Sequence, residues 1–370
     1  ARQLSSVVQA SGRLVDGLQN ERAGALLLLG YGGEQAERYR ENYEVFGRRV
    51  DEAKEPYAKR RAELDDLPAN VSELLSEIDR GLADLPALRS QVVGGQIRLS
   101  EAVQKYDVLI NNLLNMRDSA MQLTADFGLG QRIRAAPAIS RSKEYLSQKR
   151  LVVHRAFIQD ELTPLLYNEF IAADQGQAQA MQTFNAIATS SELELHSQVV
   201  SGPDLREAES YSTWVKTSGT VGIQSATFTA ATWDSALVRH AQLIGNVEAE
   251  LDRRVVDRAT DLRNSVWRQL LIESAILICM LALAIVFTWV LARSMARSLR
   301  ELREGALAVA QFGLPQAVAK LRDPQVATQL SPAQIADQLA EPLPVRSKDE
   351  FGQVAEAFNA VHLEAVRTAA

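Results

Sequence analysis

Cysteine and histidine are scarce in this chain of 370 residues, and their scarcity excludes several kinds of site. The single cysteine, Cys279, rules out a disulfide within the chain and any zinc site built on several thiolates. The four histidines show no HExxH motif and no paired spacing, so we expect no histidine-rich metal site. Since the sequence also lacks a phosphate-binding glycine box, a P-loop and a catalytic triad, we expect no catalysis and no cofactor in this chain.

Aromatic residues and excess positive charge are also lacking. Aromatic residues make up 6% of the chain, a composition that suits long helices better than a β-sandwich. The formal net charge of −6 argues against a nucleic-acid partner, because contacts with phosphates need a basic surface. With 46% hydrophobic residues the chain nevertheless has enough apolar side chains to fold. The composition therefore predicts an all-α protein.

The longest uncharged run covers residues 274–292. Its 19 residues come close to the ~20 that a helix needs to cross the hydrocarbon core of a bilayer. We therefore predict a membrane-spanning helix over residues 267–293. The alternative is a buried helix of a soluble protein.

Arginines cluster directly after this run, at Arg293, Arg297, Arg300 and Arg303. Positive residues collect on the cytoplasmic side of membrane helices, so this cluster indicates the orientation of the chain. We expect a cell-membrane protein with residues 1–266 outside the cytoplasm and residues 294–370 inside it.

The region before the uncharged run has the pattern of successive helices, separated by glycine and proline breaks such as Gly128-Leu-Gly130. No alternating strand of convincing length appears. The predicted helices are Leu4–Leu29, Gln35–Leu64, Ser72–Val93, Ser100–Asp126, Ala138–Leu162, Pro164–Ser190, Pro203–Lys216 and Ile223–Arg268.

An internal repeat divides this helical region into halves. The segment Leu18–Arg22 aligns with Leu146–Arg150 at an offset of 128, and Tyr106-Asp107 aligns with Trp233-Asp234 at an offset of 127. Matching segments at nearly equal offsets indicate a duplicated helical unit. We therefore predict two packed four-helix bundles, which are residues 1–130 and residues 131–266.

The repeat places one arginine on the apolar stripe of each equivalent helix. Arg22 lies on the same helix face as Leu18 and Ala25, and Arg150 on the same face as Leu146. A buried guanidinium without a partner is costly, so each arginine needs an anionic neighbour. Both could converge on a small anion, since the planar fork of arginine donates two parallel hydrogen bonds. Alternatively, each pairs with an acid such as Glu21, Asp107 or Asp234.

The residues around both arginines resemble a known family. Leu18-Gln-Asn-Glu-Arg-Ala-Gly24 and Ser147-Gln-Lys-Arg150 are similar to the nitrate- and nitrite-sensing (NIT) domain, whose Glu-Arg motifs match Glu21-Arg22 and, with lysine for glutamate, Lys149-Arg150. The resemblance implies two packed four-helix bundles. It also implies a small oxyanion such as nitrate or nitrite, bound between Arg22 and Arg150.

The segment after the membrane run resembles a second family, the HAMP linker. A stripe with heptad spacing contains Leu299 and Leu302, a later one contains Phe351 and Phe358, and Asp349-Glu350-Phe351-Gly352 matches the DExG signature of the family. The resemblance implies that signal transmission depends on Leu299, Leu302, Glu350, Phe351 and Phe358. It also implies a homodimer, because HAMP stripes are buried in a parallel bundle only when the chain is doubled. The alternative is two independent surface helices joined by the connector 311–347.

The order NIT-like domain, membrane helix and HAMP linker resembles that of actinobacterial sensor histidine kinases. This resemblance implies that the chain is the receptor and transmitting part of a two-component sensor. The ATP-dependent kinase module would then lie elsewhere in the protein, and a response regulator would be the downstream partner. His362 is not expected to be the phospho-acceptor, because its neighbours lack the His-Glu-x-x-Arg-Thr-Pro box. The alternatives are a chemoreceptor-type protein or a structural cell-envelope protein with no anion ligand.

Overall fold

A computed structural model describes residues 2–64, 67–122, 127–219, 222–308, 311 and 350–369. Helices make up nearly all of these described residues, and no strand occurs among them, as the all-α prediction requires. The chain divides into two compact units, Ala1–Val266 and Trp267–Ala370. The helices are α1 (Arg2–Gly30), α2 (Gly33–Ala62), α3 (Ala69–Val93), α4 (Leu99–Gln122), α5 (Phe127–Gln159), α6 (Pro164–Ile187), α7 (Ser190–Val199), α8 (Pro203–Ser218), α9 (Ala230–Ala308) and α10 (Glu350–Ala369).

Helices α1 to α4 form a first bundle around one apolar core. Helix α3 shows why the chain folds this way, because its apolar side chains recur every three or four residues and therefore share one face. That face is buried throughout, and each fully buried leucine or isoleucine contributes about 1.5–3 kcal/mol to folding. The buried residues of α3 are Val71, Leu75, Ile78, Leu82, Leu85, Leu88 and Val92.

Helices α5, α6, α8 and the first part of α9 form a second bundle, to which the short α7 is added. Its largest core side chains repeat those of the first bundle at a spacing of 127 residues. The buried aromatic pairs are Tyr43 and Phe170, Tyr57 and Phe184, and Tyr106 and Trp233. The repeat seen in the sequence is thus a repeat of the aromatic core.

Helices α1 and α5 are equivalent in the repeat, and they pack against each other as well as against their own bundles. Between them lies a small apolar cluster in which Leu26 and Leu27 of α1 meet Leu151 of α5. Because each helix is covered on several sides, polar side chains near its centre are buried together with the apolar ones. This packing positions the candidate site described below.

Three predicted boundaries are wrong. Helix α5 already begins at Phe127, so Gly128-Leu-Gly130 lies inside a helix rather than between two. The helix predicted to reach Ser190 ends at Ile187, and α7 follows because Thr189 and Glu192 form a capping box that starts a new helix. The helix predicted from Ile223 begins at Ala230 instead, after a single 3₁₀ turn.

The second unit contains the apolar part of α9. The segment Asn264–Ala308 is long and apolar enough to cross a membrane, and its most apolar 18-residue stretch has a mean hydropathy of 2.8. None of that stretch is buried in the part of the chain that the structure describes, unlike the buried helix of the alternative. In the same unit Leu299 is 50% exposed, whereas Leu302 and Phe358 are partly covered and Glu350 is exposed. The side chain of Phe351 and the predicted connector beyond Gln311 lie outside the described residues.

Candidate functional site

Arg22 lies at the centre of α1, is fully buried and is held by two carboxylates. Its Nη1 donates to Oδ1 of Asp107 at 2.5 Å and to Oε1 of Glu144 at 2.8 Å, and its Nη2 donates to Oε2 of Glu144 at 3.2 Å and to Ser147 Oγ at 2.8 Å. Burial lowers the pKa of Arg22, but the charges of Glu144 and Asp107 outweigh that effect and raise the pKa. The guanidinium therefore stays charged in the interior.

Arg150 holds the equivalent place on α5. Its Nε and Nη2 donate to the two oxygens of Asp234 at 2.6 and 3.1 Å, and its Nη1 donates to Asn20 Oδ1 at 2.9 Å. The Nε2 of His154 lies 2.6 Å from the same Asp234 carboxylate. Burial raises the pKa of Asp234, but Arg150 and His154 outweigh it and hold the pKa below its usual range. Arg150 is thus fixed by a two-point contact within its own bundle.

The two arginines obey one pattern. Each pairs with the aspartate that the repeat predicts, Asp107 for Arg22 and Asp234 for Arg150, so these two salt bridges of the alternative interpretation are present. The third acid named there, Glu21, pairs instead with Arg89 at 2.6 Å. Each arginine also donates to a residue of the other bundle. These contacts leave open whether both arginines bind an anion, and that role stays a prediction.

A cavity of about 280 Å³ lies beside Arg150, where α1, α5 and α9 meet. Its lining carries three cationic side chains, Arg13, Lys143 and Arg150, and one acidic side chain, Asp16. A space of this size holds a small anion together with several water molecules, since one water fills about 30 Å³. Arg22 is not in the lining, but Ser147, which accepts a hydrogen bond from it, is. The cavity is therefore lined by N–H donors, including those of Arg150, and Ser147 connects it to Arg22.

A second buried charge network ties α1, α4, α5 and α9 together. Lys143 pairs with Asp16 and Glu248, and Nη2 of Arg117 donates to both oxygens of Asp252 at 2.9 Å. Burial raises the pKa of Asp252 to about 6 in spite of Arg117, whereas Lys143 and Arg117 outweigh burial at Glu248 and lower its pKa to about 2. Sequence analysis missed this network. Its signal is Lys143, a charged residue on the apolar stripe of α5 between Ile139 and Leu146.

The family model described as nitrate and nitrite sensing matches residues 13–256, and the HAMP domain model matches residues 290–363. The solved structure of the NasR transcription antiterminator is similar, with a TM-score of 0.63 and 17% sequence identity over 99% of this chain and 92% of that chain. At this identity the likeness shows a shared fold alone. No curated protein matches the chain.

Proposed function

Because the chain belongs to the nitrate- and nitrite-sensing family and carries a HAMP domain, we propose that it is the receptor and transmitting part of a sensor whose ligand is a small planar oxyanion, nitrate or nitrite. The oxyanion binds between the two bundles, in contact with Arg150 and Arg22. Helix α9 transmits the binding event to the HAMP segment.

The observation that carries this proposal is the cavity between α1, α5 and α9, whose lining holds Arg13, Lys143 and Arg150 beside Asp16. Lys143 and Arg150 also pair with Glu248 and Asp234, and their remaining N–H donors can serve a small anion. Arginine has five N–H donors, and the described residues accept from three of those on Arg150, which leaves two for a ligand. A trigonal oxyanion suits this arrangement because its coplanar oxygens match the planar fork of arginine.

The test is titration calorimetry on the full chain in detergent micelles, with nitrate, nitrite, chloride and sulfate. A hydrogen bond to a charged group contributes about 1.5–3 kcal/mol, so Arg150→Ala and Arg22→Ala should each weaken nitrate binding about 10- to 100-fold. Arg150→Lys should weaken it too, because lysine keeps the charge but loses the fork. Arg239→Ala is the matched control, since this α9 arginine pairs with Asp204 and Glu207 away from the cavity. Equal nitrate binding by wild type and Arg150→Ala would refute the proposal.

Transmission through a membrane is the second part of the proposal. The apolar segment of α9 is the membrane helix, and the cluster of arginines after it supports an orientation with residues 294–370 in the cytoplasm and residues 1–266 outside. Ligand binding shifts a conformational equilibrium only if the two states differ in affinity. The relay therefore needs a HAMP segment with two arrangements of its helices.

A homodimer is supported by the apolar side chains that the second unit leaves uncovered. Leu299 of α9 is 50% exposed, and Val354 and Val361 of α10 are 51% and 69% exposed. Side chains with heptad spacing gain stability when a second copy of the helices covers them. Crosslinking of a cysteine placed at Leu299 to its copy in native membranes, with Cys279 replaced by alanine, tests this association. Absence of a crosslink at Leu299 and at its neighbours one helical turn away contradicts it.

The output is that of a sensor histidine kinase, whose kinase module lies outside these 370 residues. ATP is the phosphate donor of that module, and a response regulator is its downstream partner. The support is the presence of a HAMP domain, a relay between a receptor and a downstream module. Membranes containing the natural protein should incorporate phosphate from labelled ATP on histidine, and nitrate should change the rate. No histidine phosphorylation with or without nitrate would exclude the kinase output and favour a chemoreceptor-type or structural protein.

A further inference from the structure

We propose that the carboxylate of Glu144 is a built-in competitor at the anion site, and that an oxyanion reaches Arg22 only by displacing it. The inference rests on the proposed function and specifies how the site is regulated. It assigns to Glu144 a role that neither the repeat nor the Glu-Arg motifs indicate.

The surroundings of Glu144 form a cradle for an oxyanion. Its side chain is 3% exposed, and its two oxygens accept hydrogen bonds from Nη1 and Nη2 of Arg22 at 2.8 and 3.2 Å. The amides of Gln19 and Gln148 donate to the same carboxylate at 2.8 and 3.1 Å. Carboxylate, nitrate and nitrite are all planar anions with delocalised charge and two coplanar oxygens at similar separation. The donors that hold Glu144 are therefore suited to a free oxyanion of this class.

The donors of Arg22 are almost fully committed. Of its five N–H groups, one serves Asp107, two serve Glu144 and one serves Ser147, and only the buried Nε has no partner among the described residues. A lone donor cannot make the two-point contact that a planar anion prefers. The only pair of donors on Arg22 that binds one carboxylate at two points, Nη1 and Nη2, is occupied by Glu144 in the described structure. An anion held by the fork of Arg22 must take the place of Glu144.

Comparison of the two halves shows that Glu144, and not Asp107, is the group that yields. Asp107 has its counterpart in Asp234, so an aspartate partner is common to both arginines. On the other side Arg150 meets the neutral amide oxygen of Asn20, whereas Arg22 meets the additional negative charge of Glu144. Burial raises the pKa of Asp107, and the nearby charge of Glu144 adds to this effect. One guanidinium thus serves two carboxylates, and an anion that takes the place of Glu144 keeps the number of anionic partners of that guanidinium at two.

The route to Glu144 is short. Gln19 and Ser147 both line the cavity beside Arg150. Gln19 also donates a hydrogen bond to Glu144, and Ser147 accepts one from Arg22. The cavity is thus connected to the Arg22–Glu144 pair through residues that contact both.

Competition by a tethered carboxylate weakens the measured affinity, because the apparent dissociation constant is the intrinsic one divided by the fraction of competent protein. Glu144→Gln keeps the shape of the side chain and removes the competing charge. We expect nitrate to bind this variant about 10- to 100-fold more tightly than wild type, the range that one charge-assisted contact represents. The matched control is Asp252→Asn, which neutralises a buried carboxylate in two-point contact with Arg117, and its nitrate affinity should equal that of wild type.

The experiment is calorimetry with sodium nitrate on the full chain in detergent micelles, with sodium chloride of equal ionic strength as reference. Tighter binding by Glu144→Gln alone supports the inference. Unchanged or weaker binding by this variant, with nitrate binding intact in wild type, overturns the inference and leaves the proposed function standing. Absence of nitrate binding in both proteins overturns the two together.

A second variant covers poor folding of Glu144→Gln. Glu144→Ala leaves space at the fork of Arg22, so nitrate or formate should raise its melting temperature by more than either raises that of wild type. Chloride, a monatomic ion without two separate oxygens to match the two donors of the fork, should raise it less. Equal shifts with all three anions would contradict the inference.

Discussion

Replacing Arg117 by methionine should destabilise the first unit by about 3–5 kcal/mol, the range measured when one partner of a buried ion pair is removed. Arg117 is fully buried on α4, where it contacts Glu248 at 3.1 Å and Asp252 at 2.9 Å and donates to the backbone oxygen of Val8 at 2.8 Å. Methionine approximates its volume but supplies neither charge nor hydrogen bonds. The loss arises because carboxylates that are already buried lose one of their two cations.

The pH dependence of this loss identifies its cause. Burial raises the pKa of Asp252 to about 6, although the charge of Arg117 acts to lower it. Without Arg117 the pKa of Asp252 therefore rises further in the folded state. A carboxylate whose folded pKa exceeds its unfolded pKa binds more protons when folded, so stability increases as the pH falls. The variant should therefore lose less stability at pH 5 than at pH 7.5.

Thermal unfolding of the full chain in detergent, followed by circular dichroism at both pH values, measures the effect. For a domain of this size each kcal/mol shifts the melting temperature by about 2–4 °C, so a fall of roughly 6–20 °C is expected at pH 7.5. Arg253→Met is the matched control, because Arg253 is exposed on α9 and its salt bridges to Glu250 and Asp257 are screened by water. Equal shifts for the two variants, or a loss at Arg117 independent of pH, would refute the reasoning.

Three further predictions concern the pH limit, the relay and the topology. Asp234→Asn should lower stability at pH 7 by removing the contact with Arg150. The difference from wild type should be present in full above the ordinary aspartate pKa of 3.8, shrink as the pH falls from there towards the lowered pKa of folded Asp234, and vanish below that pKa. Acid titration of unfolding checks this, and a difference that stays constant below pH 3.8 would contradict it. Phe358→Asp should change kinase output in membranes because a buried acid is costly in a helix bundle, while its nitrate affinity should stay at the wild-type value. Glu350→Ala should behave in the same way. Unchanged output in both variants would count against the HAMP role. Protease added to intact spheroplasts should digest the first unit and spare the second, and the reverse pattern would show the opposite orientation.

The sequence predicted most of the helices, and it named Asp107 and Asp234, together with Glu21, as possible partners of the arginines. Both follow from periodicity and from the repeat, which places Asp107 and Asp234 at matching positions. Local signals also explain the error at α7, because the Thr189–Glu192 capping box is visible in the sequence and indicates a helix start.

The contacts between the bundles could not be predicted. Glu144 is 122 residues from Arg22. The repeat does not predict this pairing, because the acid at the matching position, Asp16, pairs with Lys143 and not with an arginine. Which polar groups meet across the interface depends on how α1 and α5 are rotated against each other. A pattern of apolar residues fixes the buried face of a helix but not the partner of each polar side chain on it. The role of Arg22 and Arg150 in anion binding remains a prediction for the same reason.

The continuity of helix α9 fixes how an insertion or deletion within it would change the faces of its later residues. It runs from Ala230 to Ala308, and between Gly245 beside the cavity and Gly305 the sequence has neither glycine nor proline at which it could bend. Each residue of an α-helix advances about 1.5 Å and turns by about 100°, so one inserted residue would change the angular phase of every later side chain while lengthening the rod very little. Seven inserted residues would nearly restore that phase. An insertion within α9 therefore changes the helix face on which all later apolar side chains lie, unless its length is close to a whole number of helical turns.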